Sequence, residues 1–267
     1  MQHRIVMSLV MVSTLAATAA AQEWAQARLE NSPRHLEWVE IQHDDRTVEA
    51  FLAYPEIREK ASAVVVIHEI FGLTDWVRGV TDQLAEAGYI AIAPDLLSGM
   101  APEGGGTSEL GSGDAVRKVI QTLPPKQITA DLNAAVEYAK NLPACNGQVV
   151  VAGFCWGGTQ TFRYATNNPN IEAAFVFYGS GPEELADIER IEAPIYGFYG
   201  ENDARINATI AQSKELMQKA GKNYEPVIYD NAGHGFLRAG EQPDAEPANA
   251  QARKEAWERW TKLIEEL

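Results

Sequence analysis

Six short apolar runs, most of them rich in β-branched or aromatic residues, recur along the chain with helical patterns between them. That alternation is the strongest constraint on the fold. The runs lie at residues 63–67 ("AVVVI"), 89–93 ("YIAIA"), 149–152, 173–178 ("AAFVFY"), 195–199 and 226–229. Continuous apolar runs of this length mark strands buried on both faces. Between them, Thr74 stands as the cap of a helix that carries Val77, Val80 and Leu84 and stops at Gly88. Further helices are expected over 128–141, 157–166, 207–220 and 249–266. Strands alternating with helices imply an α/β fold: a mostly parallel, doubly wound sheet with helices on both faces. Residues 36–54 break the pattern by alternating around Asp44-Asp45, which predicts an antiparallel hairpin at one edge of the sheet. Residues 96–113, long and glycine-rich, and 238–249 read as irregular loops.

The 267 residues, 46% of them hydrophobic, show no internal repeat and no linker that divides the core, and they suit one domain. The start of the chain does not belong to that domain. Residues 1–21 combine one positive charge, Arg4, an apolar run over 5–17 and a small-residue end, Ala19-Ala20-Ala21, the pattern of a signal peptide cleaved after Ala21. Its apolar run falls short of the roughly 20 residues of a membrane span. An exported protein, periplasmic or secreted, is therefore expected, with residues 22–35 as an N-terminal extension before a domain over 36–267. Loss of Arg4 would take the net charge from −15 to about −16, which disfavours nucleic acid and anionic lipid as partners. The sequence does not reveal the oligomeric state; a monomer is the working expectation.

Export invites a disulfide between the two cysteines, Cys145 and Cys155. The residues between them, "NGQVVVAGF", argue against it. They read largely as an extended strand, which at about 3.3 Å per residue separates the sulfurs by more than about 20 Å. A disulfide needs Cα atoms within about 7 Å. Both thiols are expected to be free.

Functional groups in sheets of this type gather at the carboxyl ends of the strands. There the sequence places His68-Glu69, Asp95, Cys155, Tyr178, Asp203 and His234. Gly153-Phe154-Cys155-Trp156-Gly157-Gly158 fits G-x-C-x-G, a nucleophile elbow with cysteine at its centre. Glycines are needed because a strand that turns sharply into a helix brings neighbouring backbone too close for side chains. The turn places the thiol at a helix amino terminus, where free N–H groups and the dipole favour a thiolate. The amide of Trp156 can face a developing oxyanion, with Ile70 the best candidate for the second donor. Asp203 in "GENDAR" and His234 in "NAGHGF" follow in the order nucleophile, acid, histidine. Histidine can shuttle the thiol proton and the carboxylate can fix its tautomer. Read singly, Cys155 could be a small buried hydrophobe, Asp203 a helix cap and His234 a turn residue. His35 and His43 read as solvated surface residues, His68 as a strand-end residue near the site, and Trp257 and Trp260 as the cover of the sheet on a terminal amphipathic helix.

Over most of residues 46–267 the chain resembles the dienelactone hydrolase family, a branch of the α/β-hydrolases. The pieces that carry the resemblance are "VVVIHEIFGL", "YIAIAPDLL", "VVVAGFCWGG", "AAFVFYGSG", "YGFYGENDARI" and "NAGHGFLRAG". The resemblance implies Cys155 as nucleophile, completed by Asp203 and His234, and Glu69 as a group that meets the thiol and helps ionise it when substrate arrives. It implies oxyanion donors at Trp156 and Ile70, Arg238 as a partner for a substrate carboxylate, Tyr178 as a site-lining aromatic, and no metal or organic cofactor. Moving a proton from an ordinary thiol to an ordinary glutamate costs about 6 kcal/mol. Burial of Glu69 is expected to raise its pKa, and the elbow helix with His234 to lower that of Cys155. A glutamate held by Arg238 for purely structural reasons is the competing reading. The chain departs from the family where another arginine follows the "PDL" motif: here Leu97-Ser98-Gly99-Met100 stands instead, which counts against dienelactone itself as substrate.

The expected activity is opening of a lactone or ester through a thioacyl-enzyme. A binding protein on a hydrolase scaffold is the alternative, and thiol redox work lacks a C-x-x-C pair.

Overall fold

The computed structural model describes residues 22–267; the expected leader lies outside the described residues. In chain order the elements are α1 (Glu23–Glu30), β1 (Leu36–His43), β2 (Arg46–Ala53), β3 (Ala61–Ile67), α2 (Asp75–Glu86), β4 (Ile90–Pro94), α3 (Thr107–Leu110), α4 (Gly113–Ile120), α5 (Pro125–Lys140) and β5 (Cys145–Phe154). They continue with α6 (Trp156–Ala165), β6 (Ala174–Phe177), α7 (Leu185–Ile188), β7 (Ile195–Gly200), α8 (Ala204–Lys219), β8 (Tyr224–Tyr229), α9 (Phe236–Ala239) and α10 (Pro247–Glu265). The eight strands form one sheet in the order β1-β2-β4-β3-β5-β6-β7-β8. β1 pairs antiparallel with β2 and β2 antiparallel with β4; every pair from β4 through β3 to β8 is parallel. This is the α/β-hydrolase architecture, with the 36–54 hairpin at the edge as expected.

β3 shows why the middle strands carry continuous apolar runs, here residues 63–67. Ala63, Val65 and Ile67 join the core layer on the side of α5, α6 and α8, while Val64 and Val66 join the layer under α2 and α10. Each fully buried valine or isoleucine contributes about 1.5–3 kcal/mol, so a polar substitution anywhere in residues 63–67 would strike one of the two layers. On the α10 side, Trp260 is fully buried with its ring against Phe154, Phe175 and Phe177. The terminal helix therefore covers the sheet, as its amphipathic pattern predicts.

Four expectations need correction. β8 is an edge strand, so Val227 and Ile228 are exposed and the run is not buried on both faces. Thr74 precedes α2 with extended backbone but makes no side-chain cap; the Trp76 amide there donates to Gln22 Oε1 instead. The loop 96–113 contains α3, held where Asp95 accepts hydrogen bonds from the Thr107 amide and hydroxyl. His43 is not a solvated residue: its Nε2 lies 2.8 Å from the buried Asp131, which also pairs with Arg46 and ties the hairpin to α5. Residues 22–35 pack against the domain. Ala25 of α1 is buried, and Arg28 and Arg34 pair with the buried Asp82 of α2.

Candidate active site

The parallel strands all end on one edge of the sheet, and the loops that leave it bring the chemistry together. β5 ends at Phe154 and α6 begins at Trp156, so Cys155 alone makes the bend, at φ 56° and ψ −115°. A non-glycine residue in that region costs about 1–3 kcal/mol. The bend is held by the Cys155 amide on Phe177 O and by the Thr159 amide on Cys155 O. The flanking glycines are a matter of space. A Cβ on Gly153 would lie 2.3 Å from Gly157 O, and one on Gly157 2.3 Å from His68 O, so only hydrogen allows α6 to seat against β3 and β5.

The Cys155 sulfur is half-buried and lies 3.1 Å from His234 Nε2; His234 Nδ1 lies 2.5 Å from Asp203 Oδ2. Asp203 ends the β7 loop and is buried, with its other oxygen accepting from the Ile206 amide at the start of α8. The histidine loop is anchored where the Gly233 amide donates to Asn249 of α10. Three side chains spread over 80 positions thus form one hydrogen-bonded row that ends on a thiol facing solvent. Both cysteines are free, as expected.

Glu69 and Ile70 enter from the loop after β3. The backbone amides of Trp156 and Ile70 both act on the Cys155 sulfur in the direction that favours its thiolate. Glu69 is buried, and its carboxylate accepts from Arg238 Nε at 2.8 Å. Burial raises the Glu69 pKa; the charges of Arg238 and then His234 act against it. The thiol departs from expectation. Burial, and after it the charge of Glu69, push the Cys155 pKa up, against the pull of the Trp156 amide, Arg205 and the Ile70 amide. With its pKa raised above the ordinary thiol value, the sulfur carries its proton at neutral pH.

The remaining predicted residues fall around this row. Arg238 is not free for a carboxylate through its Nε, which Glu69 occupies, and its guanidinium lies over the Phe71 ring. Tyr178 is fully buried at φ 41°, its ring edge-on to His234, and its hydroxyl has no partner among the described residues. His68 is buried with Nδ1 donating to Glu69 O and Nε2 accepting from the Leu96 amide, and burial lowers its pKa. Its ring stacks on Trp156, so it braces the elbow from below and stays neutral. Asp95 pins the α3 loop and does not reach the thiol. Arg205, whose charge reaches the sulfur, was missed by the sequence reading. Its one signal was a cation in the first turn of a helix, where the dipole disfavours positive charge. Among the described residues no three His, Cys, Asp or Glu side chains are grouped to hold a metal ion.

Comparison with known proteins gives a consistent picture. The model of the "Dienelactone hydrolase family" matches residues 48–267. A protein of Methylorubrum extorquens named "Putative carboxymethylenebutenolidase" is 34% identical over 233 residues, covering 83% of this chain and 77% of its own. One of the same name from Escherichia coli is 31% identical over 206 residues, 73% of each. Among solved structures, a "Putative Dienelactone Hydrolase" of Klebsiella pneumoniae superposes with a TM-score of 0.76 at 26% identity, over 88% of this chain and 99% of that one. A dienelactone hydrolase of Anabaena variabilis, at 18% identity and a TM-score of 0.63 over 84% of this chain and 96% of that one, shares the fold.

Proposed function

The chain belongs to the dienelactone hydrolase family and is a hydrolase, and we propose that it opens a small lactone or carboxylic ester by attack of the Cys155 sulfur. The row Cys155, His234, Asp203, with its 3.1 and 2.5 Å spacings, is the observation that carries this reading. His234 Nε2 takes the thiol proton as the sulfur bonds to the carbonyl carbon, and Asp203 keeps the other ring proton on Nδ1. The carbonyl oxygen, now negative, sits between the amides of Trp156 and Ile70. Collapse breaks the carbon–oxygen bond, and His234 returns its proton to the departing alkoxide, leaving a thioester. Water deprotonated by His234 then attacks the thioester, and the sulfur leaves. A lactone keeps its alcohol attached throughout.

Glu69 gives the neutral thiol a second proton acceptor. Its raised pKa works toward closing the gap of about 6 kcal/mol that separates ordinary partners, while the raised pKa of Cys155 works against it. On this reading the carboxylate leaves Arg238 and turns to the sulfur when substrate arrives, freeing the guanidinium for an anionic substrate group. Tyr178 stands edge-on to the His234 ring with a buried hydroxyl that has no partner among the described residues. Export, with cleavage after Ala21, is part of the proposal. It is supported by the pattern of residues 1–21, and amino-terminal sequencing of the protein recovered from the periplasm should begin at Gln22.

The deciding experiment measures turnover of 4-nitrophenyl acetate and of five- and six-membered lactones by the protein and by Cys155→Ala, with mass spectrometry of the acid-quenched protein. Turnover lost in the variant and an acetyl group on Cys155 are expected. Equal turnover by the variant rejects the nucleophile, and no adduct and no turnover in the unaltered protein leave a binding protein on a hydrolase scaffold.

A further inference from the structure

Every described arginine except Arg58 and Arg205 reaches a carboxylate, an amide oxygen or a carbonyl. Arg58 lies in an exposed turn between β2 and β3. Arg205 lies in the first turn of α8, two residues beyond Asp203. Its position is unfavourable twice over. The helix dipole opposes a cation there, and in a chain with 37 acidic residues against 22 basic ones it faces no acidic partner. The nearest carboxylate in the chain, Asp203, has one oxygen on His234 and the other on the Ile206 amide. Neither stability nor helix formation explains this arginine.

Its place along the sheet does. The strand order puts β3, β5, β6 and β7 side by side, so the loops at their carboxyl ends follow in the same sequence. Glu69 and Ile70 stand on one side of Cys155. Tyr178, and beyond it Asp203 and Arg205, stand on the other. Neighbouring strands are about 4.8 Å apart, which puts the β7 loop about 10 Å from the nucleophile's strand. The Arg205 charge reaches the Cys155 sulfur across that interval. The cation on the opposite side, Arg238, is held by Glu69.

We infer that Arg205 determines substrate specificity by binding an anionic group, such as a carboxylate, carried by the substrate on the β7 side of the nucleophile. This inference rests on Cys155 being the nucleophile. With the carbonyl oxygen between the Trp156 and Ile70 amides, the acyl chain runs past Tyr178 toward α8, and a carboxylate a few bonds from the carbonyl arrives at the unpaired guanidinium. The substrates so selected are monoesters of short dicarboxylic acids. They are anchored away from Glu69, so that the substrate anion does not compete with it for the Arg238 cation. A forked guanidinium in the open suits a carboxylate better than it suits any group now beside it.

The test compares mono-4-nitrophenyl glutarate with 4-nitrophenyl pentanoate, an anionic and a neutral ester of equal acyl length, on the unaltered protein, Arg205→Gln and Arg205→Lys. The ratio of kcat/KM for the anionic ester to that for the neutral one should fall about tenfold in Arg205→Gln, mostly through KM. Lysine should restore part of it, and the ratio in the unaltered protein should decline as salt is raised. A ratio that stays within twofold in Arg205→Gln overturns the inference while leaving Cys155 in place. Hydrolysis that persists in Cys155→Ala overturns both.

Discussion

The buried carboxylate of Glu69 accepts a hydrogen bond from Arg238 Nε at 2.8 Å, across 169 positions of sequence. The pair joins the loop after β3 to α9 and holds a carboxylate whose charge acts on the Cys155 sulfur. Breaking a buried pair by removing one partner leaves the other without compensation, at a cost of about 3–5 kcal/mol, and the partial exposure of Arg238 points to the lower end. Arg238→Gln should therefore lose about 3 kcal/mol in urea unfolding at pH 7, and Glu69→Gln/Arg238→Gln should recover much of it. A double variant as unstable as the sum of the single ones would show that the two side chains are not coupled.

The same pair gives stability a pH dependence of definite sign. The native state holds the Glu69 proton to a higher pH than the unfolded chain does, so its contribution is complete below the ordinary glutamate value of 4.5 and is lost as pH rises through the native value. Arg238 opposes that loss by favouring the carboxylate. Its removal raises the native Glu69 pKa further, so the deficit of Arg238→Gln should be small at pH 4 and widen toward pH 7. Urea midpoints across that range check it, and a constant deficit would assign the effect to lost packing.

The thiol should answer to Glu69 in the opposite way in the resting protein and in turnover. Without substrate, the Glu69 charge raises the Cys155 pKa. Glu69→Gln should move the pH midpoint of iodoacetamide alkylation downward, giving faster labelling at neutral pH. Hydrolysis of a lactone should nevertheless slow in the same variant, because the proposed second acceptor of the thiol proton has gone. A midpoint that stays or rises would mean that the carboxylate charge does not act on the sulfur.

Asp203 has two separable tasks, one oxygen on His234 and one on the Ile206 amide. Asp203→Asn keeps the length and the cap but no longer fixes the Nδ1 proton, so kcat should fall about 10²–10⁴-fold with stability nearly unchanged. Asp203→Ala should show the same loss of rate and a further loss of about 1 kcal/mol from the cap. If asparagine retained full activity, orientation of His234 would have to come from elsewhere.

What the sequence made legible were the features that local pattern determines. β3 and β5 were readable because burial on both faces makes residues 63–67 and 149–154 free of polar side chains, and the row Cys155, Asp203, His234 because each member lies in the turn or loop after a strand. Other features depend on partners far along the chain. α3 is four residues long and stands where Asp95 and the Leu73 amide hold Thr107. His43 is drawn inward by Asp131, 88 positions away. The exposed face of β8 follows from its place at the end of the strand order, which an apolar run does not reveal. The thiol pKa was misjudged for a similar reason: a helix amino terminus is visible in "FCWGG", whereas the burial of Cys155 and the charge of Glu69 come from the assembled site.

The elbow can be tested by separating crowding from backbone conformation. A Cβ on Gly157 would stand 2.3 Å from His68 O and 2.4 Å from Ile67 O, backbone atoms of β3 and its end that cannot turn aside as a side chain would. Gly88, which ends α2, has φ +98° and nothing within 4 Å of the added atom. Gly88→Ala should therefore cost only its backbone strain, about 1–2 kcal/mol, and leave kcat/KM intact. Gly157→Ala must push α6 away from β3, at about 3 kcal/mol. That shift moves the Trp156 amide relative to the Ile70 amide, so the folded fraction of the variant should also lose kcat. Refolded Gly157→Ala with undiminished kcat per folded molecule would mean that the spacing of the two amides does not limit the reaction.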